Sequence, residues 1–126
     1  MSPSPNATPS APISGRRVLV VDDDAGIRDV LADFLEGEGY QVASARDGSD
    51  ALLKAKLERP DVIVLDLMMP TMSGWGFRAE QMRDPALADV PVVIASAFTC
   101  RMEVAAHLQK PFDLGRLLAA VRRAAA

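Results

Sequence analysis

Residues 61–77 read DVIVLDLMMPTMSGWGF, and this stretch is the clearest indication of the fold. Residues 62–65 form a short continuous apolar run, which is typical of a strand buried on both faces of a parallel sheet. The run ends in Asp66, and the Met-, Pro- and Gly-containing loop behind it leads to a predicted helix at Trp75–Arg83. A buried strand that ends in a carboxylate and continues through a loop into a helix indicates an α/β architecture.

Patterns typical of strands and helices alternate along the chain from residue 16 onwards. Short apolar runs predict five strands: Arg17–Val21, Tyr40–Ala45, Asp61–Leu65, Val90–Ser96 and Val104–Leu108. Apolar residues recur at helical spacing in three further series: Ile27, Val30, Leu31, Phe34 and Leu35; Ala51, Leu52, Ala55 and Leu57; Leu114, Leu117, Leu118 and Val121. This order predicts a parallel sheet with right-handed crossovers and helices on both faces.

Short polar side chains stand where the helices begin. Asp24 and Asp113 each precede a helical pattern, and either Asp47 or Ser49 precedes another. Aspartate and serine are favoured at helix N-caps because their side-chain oxygens accept hydrogen bonds from the free amides of the first turn. Gly39 is positioned to end the first helix.

Length and composition favour one folded domain with an aliphatic core. The chain has 126 residues, of which 49% are hydrophobic but only 5% aromatic. Residues 1–15, MSPSPNATPSAPISG, contain four prolines and four serines and no apolar run of membrane-span length. We therefore predict a disordered tail at 1–15 and a single domain at 16–126.

Charge and cysteine content exclude several classes of function. The net charge of -3 disfavours direct binding to nucleic acid or to an anionic membrane surface. Cys100 is the single cysteine and His107 the single histidine, so neither an internal disulfide nor a zinc site of the usual spacing is expected. These features predict a cytoplasmic protein.

Polar side chains follow the ends of several predicted strands. Asp22 and Asp23 follow the first strand, Asp66 the third and Lys110 the fifth, and Ser96 ends the fourth. Because the carboxyl ends of parallel strands meet at one edge of a sheet, we expect these five residues to lie together. Clustered carboxylates repel one another unless they share a proton or bind a cation, and ligation by oxygen alone favours Mg²⁺.

The same residues suit phosphoryl transfer. A carboxylate can attack phosphorus and form an acyl phosphate, given in-line positioning and neutralised charge. Asp66 is the predicted nucleophile because it stands alone at the tip of a central strand, whereas Asp22 and Asp23 are adjacent and better placed to hold the ion. Lys110 would neutralise phosphate charge.

The chain resembles the receiver domains of bacterial two-component response regulators. The resemblance rests on VLVVDDD at 18–24, the stretch at 61–77, PVVIASA at 91–97 and LQKPFD at 108–113, and it spans roughly residues 16–124. It implies a flavodoxin-like doubly wound fold with five parallel strands in the order 2-1-3-4-5. It also implies dependence on Mg²⁺ and a phosphoryl group received from a sensor histidine kinase or a histidine phosphotransfer protein.

The resemblance assigns roles residue by residue. Asp66 matches the phosphoacceptor, and Asp22 and Asp23 match the acidic pair that binds the metal together with Asp66. The backbone carbonyl of Met68 would be a further metal ligand. Lys110 matches the phosphate-binding lysine, which in the family usually precedes a cis proline. Two switch positions remain, the hydroxyl of Ser96 and His107, which stands where many receivers carry an aromatic residue.

Two other classes of function are alternatives to a phosphorylation switch. Phosphatases with an aspartyl nucleophile usually carry an Asp-x-Asp motif on the first strand and extra substrate-binding structure, for which this chain has no room. A pseudo-receiver, which binds proteins independently of phosphorylation, is the stronger alternative, but such domains typically lack one of the five site residues. We therefore predict a switch that catalyses only its own phosphorylation and dephosphorylation, not an enzyme with a separate substrate.

The connection between the fourth and fifth strands departs from the family. If the fifth strand is Val104–Leu108, only residues 97–103 remain for a crossover that normally needs about 10 to 12 residues. The fourth helix of the family should then be shortened or absent, and with it the surface through which activated receivers dimerise. The sequence thus predicts a monomer whose downstream protein target contacts the loop at 98–102 or the first helix.

Overall fold

The computed structural model describes residues 15–69, 71–97 and 102–126. Its strands are β1 (Arg17–Val21), β2 (Gln41–Ala45), β3 (Val62–Leu65), β4 (Val92–Ser96) and β5 (Ala106–Gln109). Its helices are α1 (Ala25–Gly37), α2 (Gly48–Leu57), α3 (Gly74–Arg83) and α4 (Leu114–Ala125). Residues 1–14 of the predicted tail, together with Phe98 and Cys100, lie outside the described residues.

The strands form one parallel sheet in the order β2-β1-β3-β4-β5, which confirms the predicted topology. Val18 pairs with Val42 on one side and with Val62 on the other, so β1 is an interior strand, as is β3. Every described strand pair is parallel, and the carboxyl ends of all five strands therefore lie at the same edge.

Two apolar cores cover the two faces of the sheet. Alternate strand residues such as Val20 and Val64 pack with α1 and α4, whereas Leu19 and Leu65 pack with α2 and α3. Because β1, β3 and β4 are buried on both faces, their sequences are continuously apolar rather than alternating. No helix in the described part of the chain is long and apolar enough to cross a membrane.

Aspartate side chains cap α1, α2 and α4, at positions where the sequence predicts caps. Asp24 accepts a hydrogen bond from the amide of Ile27 at 3.2 Å, and Asp113 caps α4 in the same way. Asp47, and not Ser49, caps α2. Gly39 has a φ of 101°, a left-handed conformation that glycine adopts without strain just beyond a helix end.

The β4–β5 connection contains no helix in its described part, residues 97 and 102–105. β5 begins at Ala106, two residues later than predicted, so residues 97–105 make the crossover. Val104 was predicted to belong to the strand, but it packs in the connection against the α2–α3 core. Arg78 of α3 donates to the carbonyl of Glu103 at 2.8 Å and ties the connection to the helix.

Two residues assigned to buried helix faces are exposed. Leu57 ends α2 with 77% of its surface exposed, and Val30 on α1 is 55% exposed. Each lies at the margin of its apolar stripe, where helical spacing alone does not distinguish the buried side from the rim.

Phe77 on α3 is fully buried, whereas Met82 on the same helix is 54% exposed. We expect Phe77→Ala to lower the free energy of unfolding by about 3 to 5 kcal/mol, because it removes a large apolar side chain and leaves a cavity. Met82→Ala is the matched control and should change it by less than about 0.5 kcal/mol. Urea denaturation measures both, and equal losses in the two variants would contradict the assignment of this core.

Candidate functional site

Three carboxylates meet at the carboxyl edge of the sheet. Asp22 and Asp23 follow β1, Asp66 follows β3, and one carboxylate oxygen from each lies within 4.8 Å of the others. Asp66 is bound to the neighbouring strand through its amide, which donates to the carbonyl of Val21 at 2.9 Å. Asp22 and Asp66 are buried and Asp23 is exposed, so the cluster opens to solvent on the Asp23 side.

Lys110 supplies the positive charge of the site. Its backbone amide donates to the carbonyl of Ser96 at 2.7 Å, and the Lys110–Pro111 peptide bond is cis, as the resemblance implied. Its ammonium Nζ lies 2.6 Å from Oδ2 of Asp22 and 3.8 Å from Oδ2 of Asp66. The lysine therefore pairs chiefly with Asp22 and sits beside Asp66.

The Asp66 carboxyl group lies in a setting that disfavours its charge. Burial raises its pKa, the hydrogen bond from the Ser96 hydroxyl opposes this, and the neighbouring charge of Asp22 raises the pKa further. The Lys110 ammonium and the Met68 amide lower it, but the net shift is upward. Bringing a cation to this cluster would relieve both the burial cost and the repulsion between the carboxylates.

Gly74 holds the loop behind Asp66 against the end of β3. A Cβ at this position would lie 2.5 Å from the backbone oxygen of Asp66 and 2.7 Å from Cα of Leu67, closer than any side chain allows. The sequence shows a glycine before a helix, but its contact with the Asp66 backbone depends on the path of the loop. Sequence reasoning did not identify this residue, nor Arg28, whose guanidinium contacts the backbone of Asp22.

Met68 and His107 are the two remaining predicted site residues. Met68 is half-exposed, and its amide donates to Oδ1 of Asp66 at 3.4 Å, while metal binding by its carbonyl stays a prediction. His107 is exposed on β5, and its Nε2 lies 3.0 Å from the carbonyl oxygen of Met102. The contact links β5 to the β4–β5 connection, and the role of His107 as a switch stays a prediction.

The donor set fits Mg²⁺. The cluster offers carboxylate oxygens alone, with no thiolate or imidazole among the described residues around it, and hard divalent cations prefer such ligands. Two buried carboxylates and one exposed one leave room for water, which Mg²⁺ retains in most protein sites.

The family model for the response regulator receiver domain matches residues 18–122. The chain belongs to this family. Its receiver domain carries all five of the polar residues that the sequence placed at the sheet edge, and the structure brings together Asp22, Asp23, Asp66, Ser96 and Lys110. Receiver domains act in phosphorylation-dependent signalling and interact with histidine kinases.

Sequence relatives of this receiver domain are regulators of greater length. It is 38% identical over 114 residues to the probable transcriptional regulator ycf27 of Porphyridium aerugineum, covering 84% of this chain and 46% of that protein. It is 37% identical over 115 residues to the DNA-binding response regulator MtrA of Mycobacterium leprae, covering 85% and 50%. The chain thus spans about half the length of the curated relatives it matches.

Solved receiver structures share the fold. Chemotaxis response regulator CheY4 of Vibrio cholerae superposes with a TM-score of 0.81 at 31% identity, covering 88% of this chain and 99% of that one. The response regulator TrrA of Thermotoga maritima, solved with Mg²⁺ and BeF, gives a TM-score of 0.78 at 29% identity, covering 86% and 98%.

In buffer with a metal chelator, we expect Asp66→Asn to be more stable than the wild type at neutral pH. Burial raises the pKa of Asp66 in the folded state, so ionisation of this carboxyl group disfavours folding. The free energy of unfolding of the wild type therefore falls as the pH rises through that pKa. Asparagine stays neutral, so its advantage should vanish as the pH falls below the pKa of the unfolded carboxyl group. Urea titrations across this range, with exposed Asp89→Asn as control, test the sign; an advantage that grows towards low pH would contradict it.

Proposed function

We propose that this receiver domain accepts a phosphoryl group on Asp66 with the help of Mg²⁺ and thereby switches a two-component or phosphorelay pathway. The observation that carries the proposal is the meeting of Asp22, Asp23 and Asp66 within 4.8 Å beside the ammonium of Lys110. The raised pKa of Asp66 and the neighbouring Ser96 hydroxyl support it.

Each residue has a chemical task in this proposal. A carboxylate oxygen of Asp66 attacks phosphorus, the bond from phosphorus to the donor histidine nitrogen breaks, and its electron pair stays on the imidazole. Asp22, Asp23, Asp66 and the Met68 carbonyl would hold Mg²⁺, and the bound ion would neutralise phosphoryl charge. Lys110 lies 3.8 Å from Oδ2 of Asp66, so a small movement away from Asp22 brings its ammonium to the phosphoryl oxygens.

Ser96 and His107 transmit the conformational change that follows phosphorylation. The Ser96 hydroxyl already bonds to Asp66, and a phosphoryl oxygen would offer it a stronger, charged acceptor further out. Because Ser96 ends β4, its movement would shift the start of the β4–β5 connection. His107 holds the other end of that connection through the carbonyl of Met102.

The phosphodonor docks over an apolar groove beside the site. The groove has a volume of about 820 Å³, and residues of α1 and of the loop that leads into α4 line it, Lys110 among them. Its apolar lining includes Ile27, Phe112 and Val30, and Val30 is 55% exposed. An apolar surface of this kind, opening next to Asp24 and Lys110, suits the helices of a histidine kinase or a histidine phosphotransfer protein.

A pseudo-receiver is not favoured, because all five site residues are present and assembled. Direct binding to nucleic acid is also not part of the proposal. The DNA-binding name of MtrA belongs to a protein of which this chain covers half. The receiver's own net charge of -3 gives no general attraction to phosphate backbones. Its downstream target is a protein.

With acetyl phosphate and Mg²⁺, wild type should gain one phosphoryl group and Asp66→Asn none, because the amide lacks the nucleophilic oxygen. Intact-protein mass spectrometry measures the gain. Asp89→Asn, which removes an exposed carboxylate away from the site, should behave as wild type. Wild-type uptake by Asp66→Asn would refute the phosphoacceptor, and no uptake by wild type would favour the pseudo-receiver.

Activation with beryllofluoride and Mg²⁺ should leave the receiver monomeric. The β4–β5 connection spans only residues 97–105, and its described part, residues 97 and 102–105, contains no helix, so much of the surface that other receivers use for dimers should be missing. Amide NMR should show its changes in Ser96, His107 and the residues between them. Light scattering at high concentration decides the assembly. A tight dimer whose interface maps to residues 97–123 would overturn the prediction.

A further inference from the structure

Arg28 forms hydrogen bonds to both ends of Asp22–Asp24, the acidic run that follows β1. From the first turn of α1, its guanidinium Nη1 donates to the backbone carbonyl of Asp22 at 2.8 Å. Its own backbone amide donates to the carbonyl of Asp24 at 3.0 Å. The Asp24 amide in turn donates to Oδ1 of Asp22 at 2.9 Å, which closes the turn. The half-buried Arg28 thus supplies two of the three hydrogen bonds, and only the one to the Asp22 carbonyl comes from its side chain.

The carbonyl of Asp22 belongs to the peptide unit that places Asp23. Because a peptide unit is planar, fixing the direction of its carbonyl oxygen also fixes the amide nitrogen and Cα of the next residue. The carboxylate of Asp23 is the exposed member of the cluster, and it reaches the other two carboxylates only if its Cα is correctly turned. The hydrogen bond from Arg28 therefore acts on the direction in which Asp23 projects.

We propose that Arg28 is a positioning residue for the divalent cation site, acting through the backbone of Asp22 to aim Asp23 at the ion. The proposal rests on the proposed function, since it concerns how the same carboxylates bind Mg²⁺. Groups that orient metal ligands in this way contribute about 10- to 100-fold to metal affinity in other proteins.

The sign of the effect separates positioning from simple electrostatics. A guanidinium beside a divalent cation repels it, so on charge alone the loss of Arg28 would tighten Mg²⁺ binding. If Arg28 acts by positioning Asp23, the same loss weakens Mg²⁺ binding, because the direction of Asp23 is no longer fixed. The two accounts give opposite predictions for one variant.

The test is a titration of the full chain with Mg²⁺, followed by amide NMR, on wild type, Arg28→Met, Arg28→Lys and the exposed control Arg123→Ala. Methionine keeps the aliphatic length without a donor, so Mg²⁺ should bind about tenfold more weakly. Lysine keeps a charged donor group but not the planar guanidinium, so its affinity for Mg²⁺ should lie between those of the methionine variant and wild type. The control should match wild type, and melting in metal-free buffer should show that Arg28→Met remains folded.

Unchanged or tighter Mg²⁺ binding by folded Arg28→Met would overturn the proposal. Should that variant not fold, Arg28→Lys decides alone: weaker binding than wild type supports positioning, and equal or tighter binding overturns it. Failure of the wild type to bind Mg²⁺ would instead refute the proposed function. The two failures are therefore distinguishable.

Discussion

The ion pair between Lys110 and Asp22 joins two strands that do not touch. Asp22 follows β1 and Lys110 follows β5, with β3 and β4 between them in the sheet, yet their side chains meet at 2.6 Å. Asp22 is almost fully buried, and removing one member of a buried ion pair typically costs about 3 to 5 kcal/mol because the other charge is left without its partner. This ion pair therefore links the end of β5 to the end of β1 across the site.

That contact also places a positive charge beside the proposed phosphoacceptor. Lys110 lies 3.8 Å from Asp66 while pairing with Asp22, so the same ammonium stabilises the carboxylate cluster and lies next to Asp66. Asp66 keeps a raised pKa because the lysine and the Ser96 hydroxyl do not fully offset burial and the Asp22 charge. Because the repulsion between the carboxylates is not fully offset, binding of a cation would stabilise the site.

Much of the fold and site could be predicted from the sequence, because continuous apolar runs identify strands that are buried on both faces. The edge shared by parallel strands then brings Asp22, Asp66 and Lys110 together without knowledge of the loops. The register of β5 could not be read, since Val104 is equally apolar in a strand or packed in the connection. Arg28 was missed because its role follows from the path of a long side chain, and apolar spacing carries no information on that path.

The most direct test of the account is a crystal soaked with Mn²⁺, which has the ligand preferences of Mg²⁺ and scatters anomalously. If the three carboxylates form one metal site, we predict one anomalous peak between those of Asp22, Asp23 and Asp66. The peak should disappear when Mg²⁺ is added in excess. We also predict that the Lys110 ammonium moves away from Oδ2 of Asp22 when the ion binds. A peak elsewhere, or none at this cluster, would contradict the claim that these three carboxylates form one metal site.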